Sequence, residues 1–293
     1  MSHNRLHPCM LLLFTLVPVL VSAEPRALLD DELSQWRTYL GYPNDETQVP
    51  DVPRNRDGSY AEPVGYDTDP LKVFTTFQQD GETILQVSGE IYGGIFTREA
   101  FSNYRLKLDI KWGEKKWQPR LELPMDTGIL YHGTGEHGVD YWRAWPLSQE
   151  FQIIEHGVEG NTGDWWKIAH AQIDIRCARD NDQQPYRYHP ENPVKTFGGN
   201  DGVDITCRAS ENHEKPHGQW NTLELIVFED KSLHIVNGKV VMALANSSYP
   251  DGDTIKPLTS GSIVLQSEAG EAFYRRITIE PLEQRPAAYS GYF

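Results

Sequence analysis

Apolar and polar residues alternate with a period of two along most of this chain, and that habit restricts what it can fold into. In the stretch 104–112, Leu106, Leu108, Ile110 and Trp112 fall on one side, while Arg105, Lys107 and Asp109 fall on the other. Successive side chains of a β-strand are divided in this way. The stretches 73–77 and 83–87 repeat the pattern around Gln79, Asp80 and Gly81, a hairpin signal. Further short strands are expected at 128–132, 150–155, 166–175, 223–228, 233–236, 240–243, 262–266 and 273–279, with turns at Asp230-Lys231 and Asn237-Gly238. No helical period persists beyond about twelve residues. The pattern predicts an all-β chain, an antiparallel sandwich or barrel.

Both ends depart from this rhythm. His3, Arg5 and His7 precede an apolar run at 11–21, and Val21, Ser22 and Ala23 then offer a small-residue cleavage site. That run is too short to cross a bilayer. It reads as a signal peptide over 1–23, which predicts a secreted or periplasmic protein with no membrane span. The region 24–70 is rich in Pro, Asp and Gly, and its apolar patch at Leu28, Leu29, Leu33, Trp36, Tyr39 and Leu40 suits either a short helix or a strand. The region 178–219 is polar, with Pro, Asn and His throughout, and reads as a long loop. The expected organisation is one domain over 24–284, including the arm and the 178–219 insertion, with a tail at 285–293. Cys9 would leave with the signal, so Cys177 and Cys207 remain and are expected to form a disulfide.

Forty-two acidic against 27 basic residues give a net charge of −15. A chain that acidic repels phosphate backbones, which argues against nucleic acid as a partner and favours a neutral one such as a sugar. Gly133, Gly135 and Gly138 match the dinucleotide pattern G-x-G-x-x-G, but no helix is expected after them to hold a pyrophosphate. The motif reads as a glycine-rich turn, and no nucleotide cofactor is expected. Ten histidines include no H-E-x-x-H pair. His213 and His217 read as solvated, whereas His132 ends a strand beside glycines and aromatics and is as suited to a site as to a core edge. The densest polar group is Glu150, Gln152, Glu155 and His156. In a strand, Glu150 and Gln152 share one face while Phe151 and Ile153 take the other. Tyr141, Trp142, Trp145, Trp165 and Trp166 lie nearby, as in sugar-stacking clefts, and Gln266 and Glu268 share a face in the same manner.

In their order and spacing, several short segments resemble the 3-keto-disaccharide hydrolase family. They are Gly128-Ile-Leu-Tyr-His132, Ser148-Gln-Glu-Phe-Gln-Ile153, Gly163-Asp-Trp-Trp166, Trp220-Asn-Thr-Leu-Glu224, His234-Ile-Val-Asn-Gly-Lys-Val-Val-Met242, Val264-Leu-Gln-Ser-Glu268 and Phe273-Tyr-Arg275. The resemblance implies a secreted concanavalin-like jelly roll of two antiparallel sheets. It also moves the reading of 34–40 toward a strand. The implied activity is cleavage of glycosides whose sugar carries a ketone at carbon 3.

That ketone acidifies the proton on carbon 2, whose removal allows β-elimination of the group on carbon 1. Such a site needs a base, an acid for the leaving oxygen, and stabilisation of the enolate. Glu150 or His132 is expected as the base, with Gln152 and Glu268 positioning hydroxyls or a cation. Glu155, Asp164, Trp165, His234 and Gln266 complete the expected substrate-binding set. Similar proteins are associated with a divalent metal ion, for which the sequence offers no assignable ligands. Two alternatives remain open here. One is a non-catalytic, lectin-like carbohydrate-binding module. The other is a retaining β-glucanase, whose motif Glu150-x-Gln152-x-x-Glu155 approaches with Gln in place of Asp. That enzyme requires carboxyl groups about 5–5.5 Å apart, and hence a bulge at Ile153-Ile154.

Overall fold

The computed structural model describes residues 24–140, 144–155, 160–200 and 204–293. The expected signal peptide lies outside the described residues, as do Tyr141, Trp142 and His156. The described chain is a sandwich of antiparallel strands, a jelly roll whose only described helix is a short 3-10 turn at Ala287–Tyr292. That helix is not long and apolar enough to cross a membrane.

One sheet runs, in spatial order, through the strands Gly65–Tyr66, Trp36–Leu40, Gly93–Thr97, Ser262–Ser267, Asp126–Thr134 and Leu147–Ile154. The larger sheet is centred on Lys231–Val236, Asn221–Phe228, Tyr104–Lys116 and Gly270–Pro281. Alternation sends Trp36, Ile95, Ile129, Phe151, Ile153 and Leu265 from the first sheet into a shared core with Leu106, Leu108, Ile110, Leu223 and Leu225 from the second. Burying each such side chain contributes roughly 1.5–3 kcal/mol. The opposite parity on the first sheet points away from this core. That outer face carries Arg37, Tyr39, Phe96, Val264, Gln266, Gly128, Leu130, Glu150 and Gln152.

Two expectations need correction. The stretch 166–175 is two strands, because Trp165–Trp166 pairs with Thr206–Cys207 before a turn, and Gln172–Ala178 then joins the large sheet. Ala169, in left-handed backbone at φ 52°, breaks the run. The 178–219 region is not wholly loop: Arg187–Tyr188 and Val194–Gly198 both pair with Gln172–Ala178. Gly93–Thr97 is a buried central strand that alternation misses, because two of its five residues are glycine. A Cβ on Gly93 would meet the Tyr39 carbonyl oxygen at 2.3 Å, and one on Gly94 would meet Val264 Cγ1 at 2.4 Å. Close approach of neighbouring strands therefore excludes any side chain at either position. The 34–40 ambiguity resolves as the strand Trp36–Leu40. The Cys177–Cys207 disulfide is present, and both cysteines are buried.

Candidate active site

The outer face of the smaller sheet floors a cavity of about 750 Å³ near the end where Glu150, Gln152 and Gln266 emerge. Glu150 and Gln152 come from one strand and Gln266 from Ser262–Ser267, with the Asp126–Thr134 strand between them. At the crossing point stands Gly128. A Cβ there would lie 2.2 Å from Gln266 Oε1 and 2.9 Å from Glu150 Oε1, so the two polar groups converge over a bare backbone. Both amide atoms of Gln266 are buried, and its side chain meets the Glu150 carboxyl.

Carboxyl groups ring this floor. Asp126, Asp140 and Glu268 line the cavity with Glu150. Backbone N–H groups of Ala144 and Trp145 donate to Asp140 Oδ1 at 3.2 and 3.4 Å. Arg120 Nη2 lies 3.2 Å from Asp126 Oδ2. Burial pushes the Glu150 carboxyl well above the ordinary carboxylate range, and the neighbouring Asp126 adds to the effect. Glu268 is raised in the same way, first by burial and then by Asp126 and Glu150, with Arg120 opposing. Crowding of like charges in a place of low dielectric raises the proton affinity of both carboxyls.

Aromatic and basic residues also line the cavity: Tyr92, Trp145, Trp166, Lys167, His170 and Arg208. Arg208 is carried in by the 178–219 excursion, one residue after the disulfide cysteine. Its Nη1 donates to Asp164 Oδ2 at 2.9 Å, and its guanidinium carbon lies 5.9 Å from the Trp166 ring centre. Asp164 itself is fully buried and also accepts from the Ala209 and Asn161 N–H groups, at 2.6 and 3.0 Å. It does not line the cavity; it anchors a residue that does.

Of the residues expected from sequence, Glu150, Gln152, Gln266 and Glu268 are brought together in this cavity. The others are not. His132 sits at a break in strand register between Tyr131 and Thr134, with φ 60°, and the irregularity turns it away from the cavity. It is 1% exposed, and burial lowers its imidazole to about 3. His234 lies between the two sheets, stacked on Phe151 at 4.3 Å, with its Nδ1 donating to the Gly163 carbonyl at 2.9 Å. Glu155 follows the end of its strand and pairs instead with His217 Nδ1 at 2.8 Å. Strand pairing runs without a shift from Gln149 to Ile154, so no bulge brings Glu155 beside Glu150. Trp165 is fully buried and donates through Nε1 to Gln149 Oε1; its neighbour Trp166 faces the cavity.

Sequence reasoning missed Asp126, Asp140, Arg120 and Arg208. None stands in the local pattern that marked Glu150, and only the packing of distant segments gathers them. Among the described residues, no three His, Cys, Asp or Glu side chains are grouped so as to hold a metal ion.

A family model described as a 3-keto-alpha-glucoside-1,2-lyase-like domain matches residues 24–280. No curated protein matches the chain. Among solved structures, the chain is similar to a candidate glycosyl hydrolase from Parabacteroides distasonis, at 15% identity and TM-score 0.45 over 86% of this chain and 90% of that one. It is also similar to a β-glucanase from Bacillus licheniformis, at 8% identity and TM-score 0.43 over 90% and 100%. A carbohydrate binding module from Bacillus subtilis follows, at 10% identity and TM-score 0.38 over 71% and 91%.

Proposed function

This chain belongs to the 3-keto-alpha-glucoside-1,2-lyase-like family, a carbohydrate-active, glycosyl hydrolase-like domain, and from that premise we propose that it cleaves 3-keto-glucosides by β-elimination. The observation that carries the reading is the pair of buried carboxyls of raised proton affinity, Glu150 and Glu268, in one cavity with Gln152 and Gln266.

In the reaction, the ionised member of the pair takes the proton from carbon 2. The C–H electrons form the enolate of the carbon 3 ketone. Collapse of the enolate creates a double bond between carbons 1 and 2 and expels the oxygen on carbon 1. The protonated member of the pair delivers its proton to that leaving oxygen, so no water is consumed in this step. Carboxyls whose environments separate their proton affinities are suited to such divided duty. Gln152 and Gln266 hold sugar hydroxyls, and Arg208, fixed by Asp164, faces the negative charge that develops on the enolate. Trp166, the more exposed of the two cavity tryptophans, offers aromatic surface to the sugar. The protein acts outside the cytoplasm, where a buried disulfide persists.

The test incubates the protein with 3-keto-glucosides and their unoxidised counterparts and follows release of the carbon 1 substituent by chromatography. Release from the keto sugar alone, abolished in Glu150→Gln, is expected. Turnover of unoxidised glucoside, or glycan binding without any release, would overturn the proposal.

A further inference from the structure

The glycine-rich turn has a place in the structure that the active cavity does not use. Gly133, Thr134, Gly135 and His137 line a second cavity, of about 480 Å³, on the same outer face of the smaller sheet. Both cavities fall in the size range of ligand sites. They are two ends of one surface. Gln266 floors the first and Ser262, on the same strand, lines the second; Asp126 and Thr134 are divided likewise along their own strand. Four residues of strand separate Ser262 from Gln266 by about 13 Å, a reach of several pyranose rings. His137 and Pro146 line one cavity, and Asp140 and Trp145 the other.

The chemistry of the second cavity selects its ligand class. Tyr66, 40% exposed, forms a cluster with Tyr39, Phe96 and His137, at ring separations of 4.4–6.2 Å. The His137 N–H donates to the Tyr66 hydroxyl at 2.8 Å, tying the glycine-rich turn to this platform. The buried Nε2 of His137 has no hydrogen-bond partner. Arg37 is bidentate on Asp67, and Glu99 is paired with Arg26. Arg98, which also lines the cavity, donates through Nε to the Ser34 carbonyl at 3.1 Å. Among the described residues, no helix starts after the turn to present N–H groups to a phosphate. A ring platform edged by hydroxyls and paired charges suits a neutral, polyhydroxylated ring.

We propose that the second cavity holds a further glucose unit of the chain whose oxidised end occupies the first, which makes the substrate a gluco-oligosaccharide longer than a disaccharide. The inference rests on reading the first cavity as a 3-keto-glucoside site.

Calorimetric titration of the wild-type protein with unoxidised maltose, maltotetraose, cellobiose and cellotetraose tests it without turnover. In one of the two linkage series, the tetrasaccharide is expected to bind at least about tenfold tighter than its disaccharide, or about 1.4 kcal/mol. Tyr66→Ala and Arg98→Ala should each remove that gain and leave disaccharide affinity and the melting temperature near wild type. Equal affinity at both lengths, a gain that survives both substitutions, or no binding by any of the four sugars overturns the proposal. Release from a 3-keto-disaccharide, measured in parallel and expected to be unchanged in Tyr66→Ala, reports on the first cavity alone. Failure of that assay with the length gain intact would count against the lyase reading and not against the second site.

Discussion

Glu150 illustrates how a site residue acts on the fold that holds it. Its carboxyl is protonated in the folded protein at pH values where the unfolded chain would already have ionised it. The folded pKa lies above the unfolded one, so the associated stability is fully present below about 4.5 and is lost as pH rises through the folded value. Each unit between the two costs about 1.4 kcal/mol, and about 2–4 °C of melting temperature accompanies each kcal/mol in a domain of this size. Glu150→Gln removes the charge that must be buried. The variant should melt close to wild type at pH 4 and several degrees above it at pH 8, by scanning calorimetry. An unshifted melting temperature at pH 8 would show that Glu150 ionises freely. At this scale the sequence was readable where function and periodicity coincide. A strand that places Phe151 and Ile153 inside must aim Glu150 and Gln152 outward, and the same parity found Gln266. Parity is blind to Trp166 against Trp165, because those two begin a short strand whose partner, Thr206–Cys207, lies about forty residues away.

At the scale of elements, Gly128 joins three strands to one site. Gly128→Ala forces its methyl group against the ends of Gln266 and Glu150, which are side chains able to swing aside. The fold should survive, at a cost within about 1–3 kcal/mol. The displaced site groups should lower the rate of release from a 3-keto-glucoside by about a hundredfold, the scale of a misplacement of about 1 Å. Circular dichroism and kinetics on the same sample would check both halves; full activity would mean that Gln266 and Glu150 need not converge. Strands with one apolar side, such as Tyr104–Lys116 and Asn221–Phe228, were visible in advance. Gly93–Thr97 was not, since its glycines serve the approach of neighbouring backbones and leave no side chain to alternate. The strands of the 178–219 excursion escaped for a related reason: Val194–Gly198 is half solvated and shows only one buried side chain, Phe197.

Across the whole molecule, the excursion is held by one covalent link. A separation of 30 residues between Cys177 and Cys207 corresponds to about 3.5 kcal/mol of lost loop entropy in the unfolded chain. The double variant Cys177→Ser, Cys207→Ser should lose stability on that order in urea unfolding. It should also lose activity, because Arg208 enters the cavity from the residue next to the link. A stable variant with unchanged kinetics would separate the excursion from catalysis. The pairing itself needed no structure, since two cysteines leave a single intramolecular choice; that their loop would deliver an arginine to the site could not be read from a polar segment. The two cavities have a simpler bond between them. The Asp126–Thr134 and Ser262–Ser267 strands each carry residues of both, like two marks engraved on one ruler. Adding one residue between the marks would turn one of them to the far side of the sheet. A bulge can absorb such a residue, as the register break between Tyr131 and Thr134 already does on one of these strands, so the length of ligand spanning both ends is set jointly by the pleat and by that irregularity.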